Sequence, residues 1–119
     1  MYIVFGSYAE CGVYRVIAPN VVIGLGNVLR GDDGIGPRTI TELARTPLPD
    51  DVELIDGGNA GLTLLDWLEG RVTAIIIDAA SMNRAPGTVV RFKCDGVIDN
   101  DHSDVRGTHA PNAFAVLRL

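Results

Sequence analysis

The sequence predicts an α/β fold: a mainly parallel sheet with helices on both faces, in one domain spanning residues 1–119. Three observations carry this. Val21-Val22-Ile23-Gly24-Leu25 and Ala74-Ile75-Ile76-Ile77 are short apolar runs without polar alternation, the pattern of strands buried on both faces. Amphipathic helical spacing separates the strand-like runs, giving the order β-α-β-α-β, which implies right-handed crossovers. Finally, 119 residues with 47% hydrophobic and 21% charged content suffice for one core and exclude a disordered chain.

Each element has a local reason. Ile3-Val4-Phe5 and Val13 to Ile17 are β-favouring pieces separated by glycines, which suggests a hairpin in a segment, 1–19, that precedes the core of 20–119. After the run 21–25 comes a glycine-rich loop, Gly24 to Gly36. A helix then runs from about Gly34 to Arg45, with Pro37 in its first turn, where a missing N–H does no harm. Pro47 and Pro49 stop it. Val52 to Asp56 reads as the next strand, ended by Gly57-Gly58, and residues 61–69 as a helix closed by Gly70. Val72 to Asp78 is a third strand and Thr88 to Phe92 a fourth. Residues 94–107 read as a polar loop. Ala110, Ala113, Phe114 and Leu117 give a last helix from Thr108, and its uncapped end at Leu119 suggests a C-terminally shortened domain.

Charge and cysteine content narrow the function. The net charge is −5, from 15 acidic and 10 basic residues, the opposite of a nucleic-acid-binding footprint and repelled by anionic membranes. No apolar run approaches the ~18 residues of a membrane helix. Cys11 and Cys94 lie far apart and form neither a disulfide framework nor a zinc cluster, so reduced thiols are expected. Without a signal-like N-terminus, a cytoplasmic address is the default.

In parallel α/β sheets ligands bind beyond the carboxyl ends of the strands. The loops after Leu25, Ile55 and Ile77 are therefore the places to look. They carry Asp32 and Asp33, the turn Asp56-Gly57-Gly58-Asn59, and Asp78; His109 follows Thr108 at the start of the last helix. Each has a structural alternative. Asp32 or Asp33 suits a helix N-cap, Asp78 suits capping of the turn after it, Asp56 to Asn59 suits a plain strand-ending turn, and His109 suits an exposed first turn. His102 reads as solvated. A carboxylate at the end of a buried strand is costly unless paired, hydrogen-bonded or bound to a cation. Beside a helix N-terminus, His109 should stay neutral and able to ligate metal. Two carboxylates and one imidazole suit zinc, nickel, manganese or iron with positions left open. Gly24 and Gly26 also raise a dinucleotide-binding loop, but Leu29 stands where that fingerprint needs its third glycine.

Taken together, Val22 to Arg38 (VIGLGNVLRGDDGIGPR), Leu54 to Gly61 (LIDGGNAG) with Leu64-Leu65, Ile75 to Ala80 (IIIDAA) with Ala85 to Val89 (APGTV), and His109 before an alanine-rich helix resemble the hydrogenase maturation endopeptidases. The resemblance implies a three-layer sandwich of phosphorylase/hydrolase-like type. It also implies an aspartic-type hydrolase removing the C-terminal extension of a nickel–iron hydrogenase large-subunit precursor after nickel insertion. On that pattern Asp33, Asp78 and His109 are the catalytic and metal-contacting residues, Asp56, Gly57, Gly58 and Asn59 bind substrate, and nickel arrives with the precursor. Neither nucleic acid nor membrane is an expected partner. Asn59 departs from the family's usual threonine, residues 1–19 look additional, and the family's last strand and helix have no counterpart. A non-catalytic homologue that docks on the hydrogenase subunit is the alternative function.

Overall fold

The computed structural model describes all residues except 1, 7–16, 82, 94–105 and 108–119. The chain runs β1 (Tyr2–Gly6), β2 (Asn20–Leu25), a 3-10 turn (Gly31–Gly34), α1 (Ile35–Leu43), β3 (Val52–Gly58), α2 (Thr63–Leu68), β4 (Thr73–Asp78), β5 (Ala80–Ser81), β6 (Val90–Lys93) and β7 (Arg106–Gly107). Five strands form one sheet in the order β3-β2-β4-β1-β6, and β5 and β7 form a separate antiparallel pair. β3, β2 and β4 are mutually parallel, as the β-α-β-α-β order requires. The three-layer, mainly parallel α/β architecture is thus the one the sequence predicts.

The two faces of β2 show why its sequence does not alternate. Val21, Ile23 and Leu25 point to one side, where they join Ala74 and Ile76 of β4 and Leu64 of α2; Ile55, Trp67 and Leu68 pack against this cluster. The other face meets α1. A Cβ placed on Gly24 would overlap the Gly36 carbonyl oxygen and come within 2.7 Å of Ile40. Only a strand sandwiched between helices needs apolar or absent side chains at every position.

Three expectations need correction. β1 pairs antiparallel with β4 on one side and parallel with β6 on the other rather than forming a two-stranded hairpin, and residues 13–16 of the expected second strand lie outside the described residues. β3 does not end at Asp56. Gly24 pairs with Asp56 but Leu25 with Gly58, so Gly57 is an extra residue that carries the strand two positions further. The stretch 94–107 is not wholly loop, because Arg106–Gly107 pairs with Ser81 and Ala80. The rest of that stretch, both cysteines, His102 and the helix expected from Thr108 lie outside the described residues.

The amino ends of the parallel strands are stitched by polar contacts. The Pro19 carbonyl accepts the N–H groups of Val72 (2.7 Å) and Thr73 (3.2 Å). Asn20 donates through its backbone to the Asp51 carbonyl (3.1 Å) and through its side chain to the Asp51 carboxylate (2.8 Å). Arg71, only 5% exposed, donates to the carbonyls of Trp67 and Ala18 and to the Glu53 carboxylate.

Candidate active site at the carboxyl edge of the sheet

The opposite ends of β2, β3 and β4 bring three loops together. Asp78 is the last residue of β4, and Asp33 sits in the 3-10 turn that links β2 to α1. Both are buried, at 6% and 7% exposure, although carboxylates are rarely buried so fully.

Backbone packing forces this placement. Gly26 has φ +133°, a conformation that L side chains rarely adopt, and a Cβ there would overlap the Asp33 carbonyl oxygen. That oxygen accepts the Asn27 N–H (3.1 Å), which folds the loop back on itself. Two residues beyond the turn, a Cβ on Gly36 would overlap the Leu25 carbonyl oxygen and lie 2.7 Å from the Ile77 carbonyl oxygen. The first turn of α1 is therefore pressed against the ends of both β2 and β4. This contact brings the Asp33 turn to the strand end that carries Asp78.

The structure decides several of the alternatives raised by the sequence. Neither Asp32 nor Asp33 is a helix cap: the N-caps are Arg30 and Gly34, without a side-chain cap bond at either. Asp32 is exposed. Asp78 does bind a nearby amide, accepting the Ala79 N–H at 2.8 Å. Asp56 is exposed and accepts the Gly58 N–H at 3.2 Å, a local bond within the irregular end of β3 rather than a turn that ends the strand. The segment still reaches the site edge, because the Gly58 carbonyl accepts the Gly26 N–H at 2.9 Å. Gly57 is buried against Leu25, Ile23 and Trp67, while Asn59 is exposed.

His109 lies outside the described residues. Gly107, two positions before it in the chain, pairs with Ala80, two positions after Asp78. Among the described residues no three His, Cys, Asp or Glu side chains gather into a metal-binding group. Also among these residues, no helix is long and apolar enough to cross a membrane.

The dinucleotide reading fails, though not through the packing of Leu29. That side chain is 88% exposed in the loop and does not meet the sheet. The close approaches fall at Gly24 and Gly36 instead, and α1 starts only at Ile35, nine residues beyond Gly26. A pyrophosphate loop requires a helix N-terminus directly after its glycines.

Sequence reasoning missed Arg71. Following Gly70 at a helix end, it reads as an ordinary terminal cation. Its burial depends on Ala18 and Glu53, 53 and 18 residues away in the chain, and no local pattern marks them.

Fold and site together define a three-layer α/β protein with two buried carboxylates at the carboxyl edge of a mainly parallel sheet. Residues 37–119 match the model of the hydrogenase maturation protease family, HycI. The chain belongs to that family. Hydrogenase 2 maturation protease of Escherichia coli strain K12 is 46% identical over 79 residues, 65% of this chain and 48% of that protein. The hydrogenase expression/formation protein HupD of Rhodobacter capsulatus is 44% identical over 78 residues, covering 65% of this chain and 37% of its own. For HoxM of Azotobacter vinelandii, also a hydrogenase expression/formation protein, the identity is 39% over 82 residues, 67% of this chain and 40% of that protein. The chain thus spans less than half the length of these three relatives. No solved structure matches it.

Proposed function

We propose that this protein is an endopeptidase that removes the C-terminal extension of a nickel–iron hydrogenase large-subunit precursor after nickel insertion. The observation that carries the reading is the burial of Asp33 and Asp78 at the adjoining ends of β2 and β4, in a chain belonging to this family. Two carboxylates with the His109 imidazole form a donor set for a first-row divalent ion with open positions. Nickel enters as part of the substrate. A site that is short of ligands by itself then favours the loaded precursor over the empty one. A carboxylate is also the natural acceptor for the proton of the attacking water. Asp56, Gly57, Gly58 and Asn59 border the same edge and are assigned to substrate binding. Support for the role of His109 comes from the pairing of Gly107 with Ala80, which ties the chain just before the histidine to the chain just after Asp78.

The test is incubation with a nickel-loaded precursor, followed by mass measurement of the released tail. Cleavage by the unaltered protein is expected. Asp33→Asn, Asp78→Asn and His109→Ala should each lower the rate by about 100-fold or more, the scale of a lost acid, base or charge-stabilising group. Their circular dichroism should be unchanged. No released tail with the unaltered protein would reject the protease, whereas normal cleavage by the three variants would reject the assigned roles.

A further inference from the structure

β3 is the outermost strand of the sheet among the described residues: one edge pairs with β2, and no strand pairs with the other. An edge strand presents a row of backbone donors and acceptors to whatever lies beside it. A cavity of about 740 Å³ lies against this strand, lined by Val52 to Asp56, by Asp66 and Trp67 of α2, by Arg71 beyond its end, and by Ile17 and Ala18 of the segment leading into β2. Five strand residues span roughly 16 Å, the length of a five-residue extended peptide.

The charges of the groove select its occupant. Its lining holds three carboxylates, Glu53, Asp56 and Asp66, against one guanidinium. That guanidinium is spent: Arg71 is buried, with its nitrogens committed to two carbonyls and to Glu53. Asp56 and Asp66 are exposed, and an anionic ligand would meet only repulsion. Trp67 adds a ring lying against Gly57, a surface for the stem of a long cationic side chain. At its carboxyl end the strand runs into Asp56 to Asn59 and so to the site edge.

We infer that the edge of β3 left unpaired among the described residues and the groove beside α2 bind an extended, basic peptide segment of the protein substrate as an added strand. Main-chain hydrogen bonds supply the affinity, and the two exposed aspartates supply the preference for Lys and Arg. The inference rests on the protease reading, because it treats the peptide as part of the chain to be cut.

The probe is a fluorescein-labelled peptide of alternating valine and arginine, titrated against the full chain by fluorescence anisotropy. Two control peptides are needed: one with glutamate in place of arginine, and one with alternate backbone nitrogens methylated. We expect saturable binding of the basic peptide, weakened about tenfold or more by either control. Asp66→Lys, on the exposed face of α2, should weaken it about fivefold. Equal binding of the basic and methylated peptides would overturn strand addition, and equal binding of the basic and acidic peptides would overturn the charge selection; neither control depends on a protein variant. Precursor cleavage is measured in parallel. Cleavage without peptide binding rejects the groove alone, and peptide binding without cleavage rejects the protease alone.

Discussion

The two ends of the parallel sheet are held by different physics. At the carboxyl edge, where Asp33 and Asp78 sit, the elements are locked by backbone against backbone: Gly24, Gly26 and Gly36 occupy positions where a Cβ would overlap a carbonyl oxygen. At the amino edge, side chains and a linker carbonyl do the holding, through Arg71, the Asn20–Asp51 pair and the Pro19 oxygen. Glycine contacts leave no slack, because peptide groups cannot rotate away as a side chain can. Side-chain hydrogen bonds exchange with water and can be weakened in graded steps. The edge to which the proposed chemistry is assigned is therefore the one without adjustable parts. The comparison predicts steep, volume-dependent losses at the carboxyl edge and moderate, polarity-dependent losses at the amino edge.

The largest effect is expected at Gly36. In Gly36→Ala the new methyl would overlap the Leu25 oxygen and sit 2.6 Å from the Leu25 nitrogen and 2.7 Å from the Ile77 oxygen, all backbone atoms. Relief requires lifting α1 from the sheet, at a cost of about 3 kcal/mol or more, in the range of severe overpacking. Gly36→Val should be worse and leave little folded protein. Urea unfolding checks the order. A near-neutral Gly36→Ala would mean that the edge is softer than its packing implies, and that the Asp33 turn is not fixed by this contact.

At the other end, Arg71→Met keeps most of the side-chain volume and removes every donor. The Ala18 and Trp67 carbonyls then lose a partner. Glu53, whose side chain is 46% exposed, can turn to water. The loss should be about 2 kcal/mol, most of it from the two part-buried carbonyls and little from the ion pair. Adding Glu53→Gln to Arg71→Met should cost almost nothing more. If the double variant instead showed the ion pair carrying most of the loss, the clamp would be electrostatic and strongly sensitive to salt.

Legibility in the sequence follows the same division. The parallel core could be read because the face-to-face burial of Val21 to Leu25 and Ala74 to Ile77 writes itself into unbroken apolar runs. Asp33 and Asp78 could be placed because strand ends and loop glycines mark the carboxyl edge in advance. The position of β1 could not be read. Its residues favour a strand in either arrangement, and insertion beside Asp78 depends on a partner more than 70 residues away. Nor could Gly57 be recognised as an extra residue within β3, since a bulge glycine and a turn glycine look alike until the register is known. The caps expected at Asp32 or Asp33 failed for a related reason: a 3-10 turn precedes α1 and shifts its N-cap to Gly34.

The smallest effect sharpens the amino-edge side of the comparison. Asn20→Ala removes the 2.8 Å bond to the Asp51 carboxylate but keeps the backbone bond to the Asp51 carbonyl. The lost contact is exposed and joins two groups that water can satisfy, so the expected destabilisation is about 0.5 kcal/mol. Backbone geometry at the start of β2 and β3 should be retained, because Val52 still donates to the Pro49 carbonyl (3.1 Å) and Val72 to that of Pro19. Amide hydrogen exchange resolves the two contributions. Val52 and Val72 should keep their protection in the variant. Loss of protection at both would show that a single exposed side chain holds the strand ends in register, making the amino edge as unforgiving as the glycine-locked one.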